Sequence, residues 1–174
     1  MQFSHYTENG AATAADLVNL FVDGTPTLEQ VHAVVGDTRI RADEMPAVAA
    51  LAADLAPVFG ADDVSVAMKA VNALLEKTPI QPHVSDHDGE PPHLHYVVEE
   101  AGRLACLAAH TAMSLAITLC DHGPQRLCRC AAEGCERVFV DTSRNASRRF
   151  CCEAHANRTH VARHRSRKRT ATSV

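Results

Sequence analysis

CRCAAEGCERVFVDTSRNASRRFCCEAH, residues 128–155, holds five of the chain's seven cysteines and only two aromatic side chains, Phe139 and Phe150. So few apolar groups cannot build a core of their own. The cysteines and a histidine offer another organiser. Cys130-x4-Cys135 is one close pair, with Gly134 easing the turn between them. Cys151-x3-His155 is the other, at i and i+4, so both side chains share one face of a helical turn. Zinc takes four sulfur or nitrogen donors in a tetrahedron, and two pairs close in sequence supply them. The fifteen residues between the pairs suffice for one hairpin. VFVD and RRF are expected as its strands, with TSRNAS as the polar turn. A loop, a hairpin and a helix carrying the last two ligands make a treble-clef-like zinc site.

Neighbouring donors leave alternatives open. Cys128 competes with Cys130, Cys152 with Cys151, and His160 or His164 with His155. The set Cys130, Cys135, Cys151 and His155 is preferred, because Cys152 lies only three residues before His155 and Cys130 precedes the better-formed turn. Structural zinc contributes about 10–16 kcal/mol to small modules, which an inert group of thiols does not. Four protein donors close the shell and leave no position for an activated water. One structural Zn2+ ion is therefore expected, and no catalytic one.

Charge divides the chain near the same place. Residues 1–125 carry five basic and seventeen acidic side chains, a balance of −12; residues 126–174 carry twelve and four, a balance of +8. An acidic body with a basic end is the pattern of a protein whose one part meets a polyanion. Arg144, Arg148 and Arg149 surround the expected turn, and Arg158, Arg163, Arg165, Arg167 and Lys168 follow on the final helix. These are the candidate phosphate and base-edge contacts. Docking of the basic end on the acidic body is the competing use for them. The two phenylalanines are needed as core, so no aromatic platform remains for stacking single strands, and duplex DNA is the expected partner.

Ahead of the cysteines the pattern is helical. Leu17, Val18 and Phe21 share a face within 11–23, and Thr27 with Gln30 forms a capping box for a helix to about Val35. An Ala-rich helix is expected over 43–59 with Asp43 as cap and Gly60 as stop. Another is expected over 63–77, facing inward with Val64, Met68, Val71, Leu74 and Leu75. Residues 79–95 break the pattern with four prolines and a DG turn, reading as two short extended pieces around a loop. A long helix over 97–121 follows, with Cys106, His110, Met113, Leu115, Ile117 and Cys120 as core or interface positions. No apolar run approaches the ~18 residues of a membrane span, and the first residues lack a signal-peptide pattern. A cytoplasmic chain is expected, without a disulfide framework.

His83, His87, His93 and His95 lie beside Asp86, Asp88 and Glu90. His87, His93 and His95 are candidate ligand-binding residues, with Asp16 and Asn19 of the first helix as candidates to line the same pocket. A polar hairpin with hydrogen-bonded histidines is the simpler reading of that stretch.

RCAAEGCERVFVDTSRNASRRFCCEAHANRTHVARHRSRKR, residues 129–169, resembles the CGNR zinc finger. TAADLVNLF, SDHDGEPPHLHY and the long helix resemble the ABATE domain that usually precedes it. The resemblance covers nearly the whole chain. It implies zinc ligands at Cys130, Cys135, Cys151 and position 155, and a bacterial transcriptional regulator. His155 and Ala156 stand where the motif has Cys and Gly, while Asn157 and Arg158 match it. His155 is thus the ligand that departs from the pattern.

The expected architecture is mainly α with one β-hairpin. A helical domain over 1–124 precedes a small treble-clef-like zinc finger over 125–174. The expected function is zinc-dependent binding of duplex DNA in transcription regulation, with the N-terminal part sensing a ligand or forming a homodimer. Nothing resembles a nucleophile triad or phosphate loop, so no enzyme is expected. The alternatives are an enzyme using the 83–95 histidines as a metal or ligand site, and a protein-interaction adaptor.

Overall fold

The protein, as a computed structural model, is described over residues 5–37, 39–61, 63–86, 92–97 and 101–172, with side chains over 9–37, 39–61, 63–84, 94–97 and 101–162 and at 86 and 92. Six helices and two two-stranded sheets are found among these residues. Helix α1 runs from His5 to Val22 and lies along α5, Arg103–His122, which is the central helix. Ala11, Ala14 and Ala15 on α1 and Ala112 on α5 are buried in one core cluster. These small side chains let the two backbones approach closely, and Gly10 marks the tightest place. A Cβ added there would stand 2.1 Å from Ser114 Oγ and 2.8 Å from Ser114 Cβ.

Helix α2, Leu28–Val35, starts at the expected capping box: Gln30 N–H donates to the Thr27 hydroxyl and Thr27 N–H to the Gln30 side chain. The expected 43–59 helix is broken into a 3-10 turn at Ala42–Glu44, α3 at Met45–Leu55 and a second 3-10 turn at Ala56–Val58. Pro46 and Pro57 sit at the starts of α3 and the second turn, where a missing N–H costs nothing. Asp43 consequently lies inside the first turn and caps nothing.

Helix α4, Val64–Lys77, is capped by Asp63, whose carboxylate accepts from Val66 N–H. Its buried stripe is Ala67, Val71 and Leu74, while Val64 and Met68 are 54% and 52% exposed. The sequence pattern put both inside. Apolar residues flank Ala67 on either side, so periodicity alone left the rotation of this helix ambiguous.

The 79–95 segment forms the expected hairpin, β1 (His83–Ser85) antiparallel to β2 (His93–His95), with His83 opposite His95. Tyr96 and Val97 then pack on Ala109, Met113 and Ile117 of α5. Helix α5 itself begins six residues later than expected, at Arg103 after Gly102. It corrects a second expectation, because by length and composition it is apolar enough to cross a bilayer. Here its apolar residues serve the core, with Leu107, Leu115 and Leu119 buried. Thr111 and Thr118 are buried beside them, their hydroxyls donating to the carbonyls of Leu107 and Ser114 one turn back. Cys120 is exposed and Cys106 partly so.

The second sheet departs from the expected one. Strand β3 (Leu127–Arg129) pairs antiparallel with β4 (Val138–Val140), so the Cys130–Cys135 loop is the turn of this hairpin. Residues 148–150 form no strand, because the chain from Asp141 to Arg148 is wound into a loop instead; one backbone bond, Ala131 N–H to Arg149 C=O, runs alongside. Helix α6, Glu153–Thr172, ends the described chain.

A Gly10→Ala change tests the α1–α5 contact. Alanine ordinarily gains about 1 kcal/mol over glycine inside a helix, but overpacking costs about 1–3 kcal/mol. We expect urea unfolding to give a net loss; a gain would mean that the helices do not approach this closely.

Candidate metal centre

Four donors from three pieces of chain converge at the finger. Cys130 closes β3, Cys135 lies at the far end of the hairpin turn, and Cys151 and His155 stand before and on the first turn of α6. All four donor atoms lie within 4.8 Å of one another. His155 Nδ1 is 3.4 Å from Cys130 Sγ and 3.3 Å from Cys151 Sγ, and the Cys135 and Cys151 sulfurs are 3.9 Å apart. A tetrahedral zinc shell has edges of about 3.8 Å between sulfurs and about 3.6 Å between sulfur and nitrogen. The residues therefore fit one zinc ion, with Nδ1 as the histidine donor. Among the described residues no other group of this kind occurs.

The competing thiols are placed elsewhere. Cys128 lies on β3 opposite Phe139 and donates to Gln125 C=O at 3.1 Å. Burial and the Asp141 carboxylate push its thiol up to about 11, and its sulfur is not among the four converging donors. Cys152 is exposed, 4.0 Å from Cys151. His160 sets its ring edge-on to Phe150, and the side chain of His164 lies outside the described residues.

Burial works against charge on Cys130, but N–H groups of Cys151 and Ala132, together with His155 and Cys135, outweigh it and bring the thiol down to about 6. Cys151 moves the other way, to about 12, through burial and the proximity of Cys130 and Cys135. One thiolate is favoured and the next is opposed, so the complete donor set calls for a dication.

Residues 126–168 match the CGNR zinc finger family model. The match and the Cys130, Cys135, Cys151 and His155 cluster together make this a zinc finger suited to one ion. No curated protein matches the chain.

The finger is fastened to the helices by largely uncharged contacts. The Asn19 amide donates to Val138 C=O at 2.9 Å, and Val138 N–H donates to Asn19 Oδ1 at 2.8 Å. A side chain of α1 thereby completes the free edge of β4 as a further strand would. Leu127, Val138 and Val140 join the same core as α1, α3 and α5. Arg129 reaches back to cap the carbonyls of Ala56 and Phe59, and Gly60 N–H donates to Leu127 C=O at 2.7 Å. Gly60 has φ +77° and lies under the Arg129 stem, where a Cβ would meet Cγ at 2.6 Å. Asp16 and Asn19 were expected near the histidine hairpin; both line the cleft against the finger, with Arg137, Phe139 and Cys151.

The loop after β4 is wound about Asp141, which is fully buried. Its carboxylate accepts from Ser143 N–H and Arg148 N–H, both at 2.8 Å, while Arg126 donates to the carbonyls of Asp141 and Ser143. Burial pushes this carboxyl up, but the Ser143 and Arg148 bonds and the Arg126 charge prevail and hold it below the usual range. Arg148 donates to the carbonyls of Phe150 and Cys151 and lies over the Phe139 ring at 4.7 Å. Arg144, Arg149 and Arg158 are exposed and make no ion pair among the described residues. The side chains of Arg163, Arg165, Arg167 and Lys168 lie outside the described residues, as do His87 and the side chain of His93. His95 stacks on His83 at 5.3 Å. Sequence reasoning missed Asn19 as a clamp and Asp141 as an organiser. Each acts through backbone groups distant in the chain or folded by the loop itself, so neither leaves a spacing signal.

Two outcomes are expected. Cys135→Ser removes bound zinc, measured by elemental analysis, whereas Cys128→Ser and Cys152→Ser retain one ion per chain. Asp141→Asn costs about 1–3 kcal/mol by leaving a buried N–H unpaired. Because the folded carboxyl lies below its ordinary value, the Asp141 contribution is complete above about pH 4 and is lost as pH falls through the folded value. The variant's stability should depend less on pH in that acid range.

Proposed function

We infer that the protein binds duplex DNA through its zinc finger and regulates transcription in the cytoplasm. The observation that carries this reading is the separation of two tasks in the finger. Its attachment to the acidic helices uses Asn19, backbone bonds, apolar side chains and Arg129 on backbone carbonyls, with Arg137–Asp23 at 3.6 Å as the one ion pair across that junction among the described residues. Arg144, Arg149 and Arg158 are left exposed, without an ion pair among the described residues. If the acidic body were the partner of the basic end, these guanidiniums would be paired with its carboxylates.

Several features support the same reading. The finger segment carries a charge balance of +8. Phe139 is buried beneath Arg148 and Phe150 meets His160, which leaves no ring for a flipped base and favours a duplex over single strands. Arg144 lies in the loop around Asp141, Arg149 just after it, and Arg158 on the second turn of α6. The helices ahead of the finger resemble the ABATE domain, and their role in this reading is to sense a ligand or to bring two copies together. No catalytic role is assigned to any residue.

Changing Arg144, Arg149 and Arg158 together to Ala, with zinc retained, should reduce the slope of log affinity against log salt by about 2–3, each lost phosphate contact contributing about 0.9. Fluorescence anisotropy with a duplex of mixed sequence measures this. Absence of duplex binding at low salt by the zinc-loaded protein would defeat the reading.

A further inference from the structure

A cavity of about 310 Å³ opens where the loop after α2 meets the end of β2 and the first turns of α5. Val35, Tyr96, Val97 and Leu107 make much of its wall apolar. Charge enters from one side. Arg39 donates to both oxygens of Asp37, at 2.9 and 3.0 Å, which occupies its guanidinium fork. Arg103, the first residue of α5, stands 3.7 Å from the same carboxylate. That is too far for a hydrogen bond, and Arg103 makes none with any described residue. Among the described side chains, two guanidiniums against one carboxylate leave one fixed positive charge at the cavity. His95 and His110 also line it; burial, and then the proximity of His95, hold the His110 ring below the ordinary range, so His110 adds no cation near neutral pH.

We propose that this cavity binds a small organic monocarboxylate, with its carboxylate on the Arg103 guanidinium and its apolar body against Tyr96, Val97 and Leu107. Arginine's planar fork matches a carboxylate bidentately. One net charge suits a monoanion: a neutral ligand leaves the fork unpaired, and a dianion brings its second charge towards Asp37. The volume lies at the small end of the ~300–1,000 Å³ range of ligand sites, which limits the body to about the size of one ring. The site stands apart from the finger and does not depend on the DNA reading.

The test titrates the full zinc-loaded chain with benzoate, benzamide and benzylamine, followed by calorimetry and by backbone amide NMR shifts. Benzoate should bind saturably with a Kd near 1 mM or tighter, at least about tenfold better than benzamide, and shift the amides of Val35, Val97 and Leu107. Arg103→Gln should abolish this preference for benzoate over benzamide, and Arg103→Lys should keep part of it. Thermal unfolding of each variant without ligand checks the fold; if Arg103→Gln is unstable, the intermediate affinity of Arg103→Lys carries the test. No saturation by benzoate at about 10 mM, equal binding of benzamide, wild-type affinity in the Arg103 variants, or shifts confined to other residues would each overturn the proposal.

Discussion

Three thiols and an imidazole held within 4.8 Å of one another repel or exclude each other as thiolates unless a dication lies among them. The opposite displacements of Cys130, down to about 6, and Cys151, up to about 12, express that conflict. Zinc resolves it by taking all the donors as ligands, which links metal binding to the ordering of this segment. The three pieces of chain tied together are the β3–β4 turn, the end of the Asp141 loop and the start of α6. Without the tie, the basic loop and helix lose their fixed relation.

A rigid finger is useful only if it is mounted. Asn19 provides the mount by imitating a neighbouring strand at Val138, and Arg129 with Gly60 provides a second attachment at the end of α3. Both use backbone groups as partners, so the attachment depends less on salt than the exposed arginines do. Leu127, Val138 and Val140 belong to the helical core; finger and helices therefore share apolar packing.

Much of this was legible in the sequence. The Cys130, Cys135, Cys151 and His155 spacing named the donors, the Thr27–Gln30 pair named a helix start, and the prolines with Asp88-Gly89 marked the histidine hairpin. What failed did so for physical reasons. VFVD was read as pairing forward with RRF, because a buried aspartate that winds a loop looks the same in sequence as a polar turn. Val64 and Met68 were turned inward, because an Ala-centred stripe gives little contrast. Asn19, only a candidate for the histidine pocket in the sequence, lies against Val138 instead, because a side chain completing a distant strand has no local signature. The cavity by Arg103 joins residues 35–37, 95–97 and 103–110, which only the fold brings together.

The most direct test of a Cys3His centre is zinc X-ray absorption on the purified chain. The account predicts a first shell of three sulfurs at about 2.3 Å and one imidazole nitrogen at about 2.0 Å, changed by His155→Ala and unchanged by Cys152→Ser. A four-sulfur shell that loses a sulfur in Cys152→Ser would contradict it.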